Sequence, residues 1–240
     1  PKGYWVLIVY PSLMCVSIFL GLTVYGYLTE GKEKGEIRKA FQYYLSKNVV
    51  DQVLTDPQQL QLGGKKANCT VLFSDIRGFT TISEQLDAKA LSELLNEYLT
   101  PMTNLVFKNN GTLDKYMGDA IMAFFGAPIE HNNHAVEGCY TALEMMEELE
   151  VLQAGWKDSN QPSLDVGIGL NTGDMSVGNM GSKIRFDYTV MGDNVNLGSR
   201  LEGINKEYRT NIIISESTFE SAKDFIHARE MDLVRVKGKR

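Results

Sequence analysis

Two aspartates stand next to apolar segments that we predict to be β-strands. Asp75 follows the predicted strand Val71–Ser74, and Asp119 lies in the turn between the predicted strands Gly111–Tyr116 and Ala120–Phe125. Either aspartate could instead cap a helix or stabilise a turn. If the fold brings both to one place, however, their carboxylates repel each other unless cations lie between them. The pair therefore predicts a site for two divalent metal ions, Mg²⁺ or Mn²⁺, completed by phosphate oxygens and water.

The predicted elements place these aspartates at one edge of a sheet. Their order is strand–helix–strand–strand–helix–strand with further elements behind it, which is a ferredoxin-like split βαβ unit of the α+β class. In that mixed, mainly antiparallel fold the first strand lies beside the third, so Asp75 and Asp119 meet. The remaining predicted elements are the helices Asp87–Asn109, Asn133–Leu152 and Asp193–Glu207 and the strands Leu164–Leu170, Met175–Val177 and Asn211–Ser215.

Composition excludes several other functions. The net charge of −6 and the isoelectric point near 5.2 argue against nucleic acid as a partner, because no basic stripe can neutralise phosphates. The three cysteines are far apart and odd in number, so neither a disulfide framework nor a zinc site is predicted. His131 and His134 are a weak metal signal without further ligands. The glycines between residues 167 and 173 imitate a dinucleotide-binding motif but lie in a predicted strand.

The N-terminal segment, residues 1–29, is predicted to be a transmembrane helix. No charged residue occurs from Gly3 to Thr29, and a helix over Tyr4–Leu28 would be about 37 Å long. That length crosses about 30 Å of hydrocarbon. A signal peptide and a buried core helix are the alternatives. Lysines and arginines follow the segment, which predicts that the C-terminal side is cytoplasmic and that the protein resides at the cell membrane.

A linker is predicted between this segment and the catalytic part of the chain. Glu36–Leu54 has helical spacing of apolar residues and could pair with its twin in a dimer, or could serve as a simple spacer. A polar break then runs from Asp56 to Lys66. We therefore predict a signalling linker over residues 30–66 and a catalytic domain over residues 67–240. Since the chain begins at a proline, an upstream sensor domain is a further candidate partner.

Three stretches together resemble the class III nucleotidyl cyclases. They are Phe73–Thr80 (FSDIRGFT), Asp114–Phe125 (DKYMGDAIMAFF) and Tyr188–Arg200 (YTVMGDNVNLGSR), and the resemblance extends over about residues 70–238. It implies that ATP or GTP is converted to a 3′,5′-cyclic nucleotide and pyrophosphate. No covalent enzyme intermediate is needed in such a reaction.

The resemblance also implies roles for individual residues. Asp75, Asp119 and the backbone carbonyl of Ile76 match the metal ligands. Asn196 and Arg200 match the pair that orients the ribose and stabilises the transition state, and their spacing of four places them on one face of a helix. A guanidinium suits this role because it stays charged and binds phosphate oxygens in a bidentate manner. An ordinary surface arginine is the alternative.

Base recognition is implied at two further positions. Lys115 matches a lysine that contacts adenine N1, and a lysine can only donate, whereas guanylyl cyclases commonly carry glutamate there. Thr189 stands where many adenylyl cyclases have aspartate. At this position the sequence resembles the subgroup of the family that has threonine. Asp187 could replace it if the strand register shifted. Lys237 or Lys239 resembles a lysine near the terminal phosphates.

These residues predict a membrane-anchored adenylyl cyclase. In the family, one subunit supplies the metal ligands and the other the base-recognition residues and the arginine, so the resemblance implies a homodimer with shared sites. Two alternatives remain. A guanylyl cyclase is disfavoured by Lys115 but not by Thr189. A degenerate domain that only dimerises or binds nucleotide would usually have lost one of the matched residues.

Overall fold

The computed structural model describes residues 10, 12–25, 63–159, 161–182 and 185–233. The predicted linker helix Glu36–Leu54 and both candidate phosphate-binding lysines, Lys237 and Lys239, lie outside the described residues. Two compact units divide near residue 43, and each is described by itself.

In the N-terminal unit, residue 10 and residues 12–25 are helical. Its apolar side chains are exposed, and they include Leu13, Val16, Phe19 and Leu22. Within the parts of the chain that the structure describes, no helix is long and apolar enough to cross a membrane. The remainder of the predicted span lies outside those parts.

The C-terminal unit contains six strands and five helices among its described residues. In chain order they are β1 (Gly63–Ile76), α1 (Phe79–Gln85), α2 (Ala88–Lys108), β2 (Thr112–Met117), β3 (Ala120–Phe125), α3 (His134–Ser159), β4 (Val166–Ser182), β5 (Arg185–Met191), α4 (Asp193–Tyr208), β6 (Ile212–Ile214) and α5 (Glu216–Ala222).

The strands form one mixed, mainly antiparallel sheet. Its order is β2-β3-β1-β4-β5, and β6 pairs with β4 in parallel. All other neighbours are antiparallel, including β1 and β3. The prediction of an α+β fold with a split βαβ core is therefore confirmed, as is the prediction that the first strand lies beside the third.

Two strands are longer than their apolar patterns predict. β1 begins at Gly63 rather than Val71, so the stretch from Gly63 to Lys66 is strand and not polar linker. β4 is one strand where we predicted two. The reason is cross-strand pairing: all fourteen residues of β1 pair with β4, which holds the polar middle of β4 in extended conformation.

Both faces of the sheet are covered by apolar contacts. On one face, α2 and α3 bury Tyr98 and Met145 against Leu72, Phe125 and Ile168. The opposite face has a second core around strand residues and α4; it consists of Ala67, Cys69, Val71, Phe73, Met122, Phe124, Ala127, Met175, Val177, Val190 and Val195. Each fully buried large side chain contributes about 1.5–3 kcal/mol to this packing.

The glycines of β4 allow α4 to approach the sheet closely. A Cβ atom at Gly169 would lie 2.2 Å from the backbone nitrogen of Glu202, and one at Gly167 would lie 2.7 Å from a carboxylate oxygen of Glu202. Both glycines are inside the strand. Their position within a strand is as predicted, and their close approach to Glu202 gives them a role in helix–sheet packing.

Candidate active site

Asp75 and Asp119 lie at the same edge of the sheet. Asp75 is the penultimate residue of β1, and its neighbour Ser74 pairs with Ile121 near the start of β3. Asp119 occupies the turn just before β3, and the backbone N–H of Ile76 donates a hydrogen bond to its side chain. The structure therefore brings together the two carboxylates that the sequence separates.

Within the described part of the chain, neither of these carboxylates forms an ion pair with a lysine or arginine. Burial, and then the negative charge of Asp75, raise the pKa of Asp119 to about 6. One side-chain oxygen of Asp119, Oδ2, is buried without a hydrogen-bond partner. Burial likewise raises the pKa of the neighbouring Tyr98, whose hydroxyl lies 3.2 Å from Ser74 Oγ, and both aspartates add to that shift.

An unpaired buried carboxylate oxygen beside a second carboxylate fits a hard divalent cation. Across the described part of the chain, no group of three or more His, Cys, Asp and Glu side chains could hold a metal ion. Ligands beyond Asp75 and Asp119 must therefore come from backbone carbonyls, of which Ile76 is the predicted one, or from substrate and water. The metal-binding role of all three residues remains a prediction.

Glu202 is a third carboxylate near this edge, and the sequence analysis missed it. Burial raises its pKa to about 7, and Asp75 and Asp119 add to the increase while Arg77 and Lys206 oppose it. No sequence signal identified it. Two positions along a helix correspond to about 200°, so Glu202 faces away from the matched Arg200 and towards its own sheet.

The matched helix residues Asn196 and Arg200 lie one turn apart on α4. Asn196 is exposed and Arg200 is half-buried, with its Nη1 buried and without a hydrogen-bond partner. Arg200 is not among the leading contributors to the pKa shifts of Asp119 or Glu202. Among the described residues, no hydrogen bond or ion pair connects this arginine to the carboxylate pair.

Lys115 and Thr189, the two matched base-recognition residues, do lie together. Thr189 is 8% exposed, and its hydroxyl donates to Asp114 Oδ2 over 2.5 Å. The Lys115 ammonium is 3.2 Å from Asp114 Oδ1 and 3.9 Å from the exposed Asp187. Asp114 therefore links both residues, although the sequence analysis assigned it no role.

A β-bulge in β2 explains how the adjacent residues Asp114 and Lys115 can lie on the same side of the strand. The pairing of β2 with β3 shifts between Leu113 and Lys115, so Asp114 is the extra residue. A bulge bends its strand and redirects side chains. Because β2 and β5 are opposite edges of the sheet, the contact between Asp114 and Thr189 also shows that the sheet curls until its edges meet.

Two further polar residues, Arg77 in a matched stretch and His134 outside all three, are held by the fold itself. Arg77 forms an ion pair with Asp165 at 2.7 Å and donates to the backbone carbonyl of Thr210. His134 Nδ1 lies 2.8 Å from Thr70 Oγ1, inside the protein. His134 therefore has a structural contact that the sequence did not predict.

Comparisons with known proteins agree with this site. Residues 63–240 match the family model described as "Adenylate and Guanylate cyclase catalytic domain". Adenylate cyclase 1 of Rhizobium meliloti is 34% identical over 202 residues, which cover 83% of this chain and 30% of that protein. The chain thus spans about a third of the length of the curated relatives it matches.

Two solved structures share the fold. The adenylyl cyclase CyaB from P. aeruginosa is 40% identical, with a TM-score of 0.69 over 74% of this chain and 91% of that one. The guanylyl cyclase Cya2 is 36% identical, with a TM-score of 0.69 over 75% and 90% of the two chains. These matches, together with the paired carboxylates and the predicted topology, show that the chain belongs to the family of adenylate and guanylate cyclase catalytic domains.

Proposed function

We propose that the protein is an adenylyl cyclase that converts ATP to 3′,5′-cyclic AMP and pyrophosphate. One observation carries the choice of ATP: Lys115 and Thr189 lie together on the same buried carboxylate. An ammonium group only donates hydrogen bonds, which suits N1 of adenine and not the N1–H of guanine. Similarity to named adenylate cyclases supports the same choice.

Asp75, Asp119 and the Ile76 carbonyl would hold Mg²⁺ or Mn²⁺, two ions per site. Bound there, such ions lower the pKa of the ribose 3′-hydroxyl and neutralise charge on the departing pyrophosphate. Arg200 stabilises negative charge on the α-phosphoryl oxygens, because its guanidinium stays charged and two N–H groups can donate together. Asn196 orients the ribose from the same helix face, and Lys237 or Lys239 would contact the terminal phosphates.

The site is proposed to form between two copies of the chain in a homodimer. The support is the unpartnered Nη1 of Arg200, together with the absence of this arginine from the main influences on Asp119. A guanidinium without a carboxylate and a carboxylate pair without a cation complement each other across an interface. Two equivalent sites per dimer follow from the two-fold symmetry.

Direct assay separates this function from its alternatives. Cyclic AMP and cyclic GMP formation are measured from ATP and GTP, each with Mg²⁺ and with Mn²⁺. We expect cyclic AMP from ATP, and metal removal with a chelator should abolish it. Cyclic GMP as the main product would establish the guanylyl cyclase, which the similarity to Cya2 keeps as the second candidate. Nucleotide binding without product would establish the degenerate module.

Mixing two inactive variants tests the shared site. Asp75→Ala and Arg200→Ala should each be inactive alone and should recover roughly a quarter of wild-type activity when mixed in equal amounts. That fraction arises because half of the dimers are mixed and one of their two sites is intact. Mixing Asp75→Ala with Asp119→Ala is the matched control, since both changes damage the same half-site. No recovery in the first mixture would overturn the shared-site proposal.

Membrane anchoring by the N-terminal segment is also proposed, with the catalytic domain in the cytoplasm. It is supported by the exposed apolar side chains of residues 12–25 and by the uncharged sequence around them. Co-flotation of the chain with lipid vesicles tests the proposal. A variant with Leu13, Phe19 and Leu22 changed to glutamine should lose flotation, and unchanged flotation would refute it. An upstream sensor domain stays a prediction.

A further inference from the structure

The hydrogen bond between Asp114 and Thr189 has a defined direction. A threonine hydroxyl has one proton and two lone pairs, so it can donate or accept and discriminates poorly between bases unless something fixes it. Here Asp114 Oδ2 lies 2.5 Å from Thr189 Oγ1 and 3.3 Å from the backbone nitrogen of Val190. A backbone N–H can only donate, so Oδ2 must be an acceptor.

The other carboxylate oxygen faces a donor as well. Lys115 Nζ is 3.2 Å from Oδ1, and an ammonium group has no lone pair to offer. Burial raises the pKa of the Asp114 carboxyl, but the hydrogen bonds from Thr189 and Val190 and the charge of Lys115 oppose that increase and favour the carboxylate. A carboxylate only accepts hydrogen bonds, so Thr189 donates its proton to Asp114 and only lone pairs remain on the ligand side of Oγ1.

We propose that Asp114 is a specificity-determining residue: it fixes the Thr189 hydroxyl as an obligate acceptor for the exocyclic amino group of adenine. Guanine presents a carbonyl oxygen where adenine has its amino group. That oxygen would face the lone pairs of Thr189, and the N1–H of guanine would face the Lys115 ammonium, so neither contact could form a hydrogen bond. In this way the Asp114 carboxylate would let the neutral side chain of Thr189 discriminate between adenine and guanine as well as a charged acceptor could. This inference rests on the proposed function, because it concerns the base chosen at that same site.

Burial makes the arrangement rigid. Asp114 is 5% exposed and Thr189 is 8% exposed, and both belong to strands rather than loops. Rotating the Thr189 hydroxyl towards a guanine carbonyl would remove a charge-assisted hydrogen bond from a buried carboxylate. Such bonds are about twice as strong as neutral ones, so the penalty falls on guanine alone.

A double-mutant comparison tests the proposal. The kcat/KM ratio for ATP over GTP is measured for wild type, Asp114→Asn, Thr189→Val and the double variant. Asp114→Asn should lower the ratio about tenfold, since the hydroxyl is then free to rotate and donate. In the Thr189→Val background, the same change should move the ratio less than about twofold. Asp187→Asn is the matched control, because it removes a carboxylate near Lys115 without touching Thr189.

Two outcomes would overturn the inference. One is an unchanged ratio in Asp114→Asn, and the other is an equal drop with valine at position 189. A purely structural role, in which Asp114 only ties β2 to β5, would lower both activities together and lower the melting temperature. If wild type prefers GTP, both this inference and the choice of ATP fail. If wild type binds but turns over neither nucleotide, the same ratios are measured as dissociation constants.

An ATP analogue that lacks the 6-amino group decides the matter if Asp114→Asn does not fold. Wild type and Thr189→Ser should use this purine riboside triphosphate about tenfold less efficiently than ATP. Thr189→Val should treat the two nucleotides alike. Equal use of both by wild type would show that Thr189 accepts no hydrogen bond from adenine.

Discussion

The two ends of this site differ in how their charges are compensated. At the end of β1, Asp75 and Asp119 repel each other, and an oxygen of Asp119 is buried without a partner. At the bulge of β2, Asp114 receives donors from Lys115, Thr189 and Val190 within the same chain. Among the described residues, the first region has no ammonium or guanidinium paired with its carboxylates. The second has the Lys115 ammonium 3.2 Å from Asp114, although Asp114 Oδ1 itself lacks a hydrogen-bond partner.

This difference separates reactivity from selectivity. A carboxylate pair that is strained without metal gains most when cations bind, which favours assembly of the reactive site only with metal and nucleotide present. A buried carboxylate that already has two hydrogen-bond donors and an ammonium beside it holds its geometry in advance, so its hydrogen-bonding pattern can reject the wrong base.

Removing a carboxylate from the strained pair should abolish activity without harming the fold. Asp119→Asn should lower cyclase activity at least about 100-fold, because a ligand for the catalytic metals is lost. The metal-free variant should unfold at higher denaturant concentration than wild type, since the repulsion of Asp75 is gone. Asp174→Asn, in an exposed part of β4, should leave activity near wild type. A destabilised Asp119→Asn protein would contradict the contrast.

Removing the ammonium beside Asp114 should damage both fold and function. Lys115→Ala leaves the fully buried side chain of Asp114 without its ammonium partner. The free energy of unfolding should fall by about 1–3 kcal/mol, and kcat/KM for ATP should fall about tenfold or more. Lys66→Ala removes an exposed ion pair and should change stability by less than about 0.5 kcal/mol. Equal effects of the two variants on stability would refute the assignment.

The stability of the metal-free protein should depend on pH at the carboxylate end. The pKa of Asp119 is raised from 3.8 to about 6 and that of Glu202 from 4.5 to about 7. Between about pH 4 and 7 the folded state therefore binds more protons than the unfolded state. Its free energy of unfolding should fall as pH rises through that window, and Mg²⁺ at neutral pH should reverse part of the loss.

Denaturant unfolding in the presence of a chelator, at half-unit pH steps, measures this effect. Glu202→Gln should flatten the dependence relative to wild type, chiefly at its upper end. Identical curves for the two proteins would show that Glu202 ionises normally in the folded state.

The smallest effect is expected from removing the Tyr98 hydroxyl, which lies near Asp75 and Asp119. Tyr98→Phe removes the 3.2 Å contact with Ser74 inside the core. Stability should fall by about 1 kcal/mol, and activity should stay within about twofold of wild type. A large loss of activity with normal stability would show instead that Tyr98 positions Asp75.

Local pattern predicted the long helices well. Helix α2 was expected over Asp87–Asn109, and these two residues are its caps, with the Asp87 side chain accepting from the backbone nitrogen of Ala90. Capping chemistry and an apolar stripe are both local, so sequence shows them. The lengths of β1 and β4 were underestimated, because a polar residue in a paired central strand has no local signature.

The same reasoning divides the candidate site. Motifs in the sequence predict roles for Asp75, Asp119, Asn196, Arg200, Lys115 and Thr189, whereas no motif predicts a role for Asp114 or Glu202. Asp114 matters through a bulge and through a partner on the opposite edge of the sheet. Glu202 matters because glycines in β4 admit its helix so closely.

Residue types and their spacing were sufficient to predict the family resemblance, the order of elements and the side chains that could carry chemistry. The pKa shifts and hydrogen-bond partners of those side chains could not be predicted in this way, because they depend on burial and on groups that folding brings together. At Thr189, that distinction determines whether a neutral hydroxyl accepts or donates.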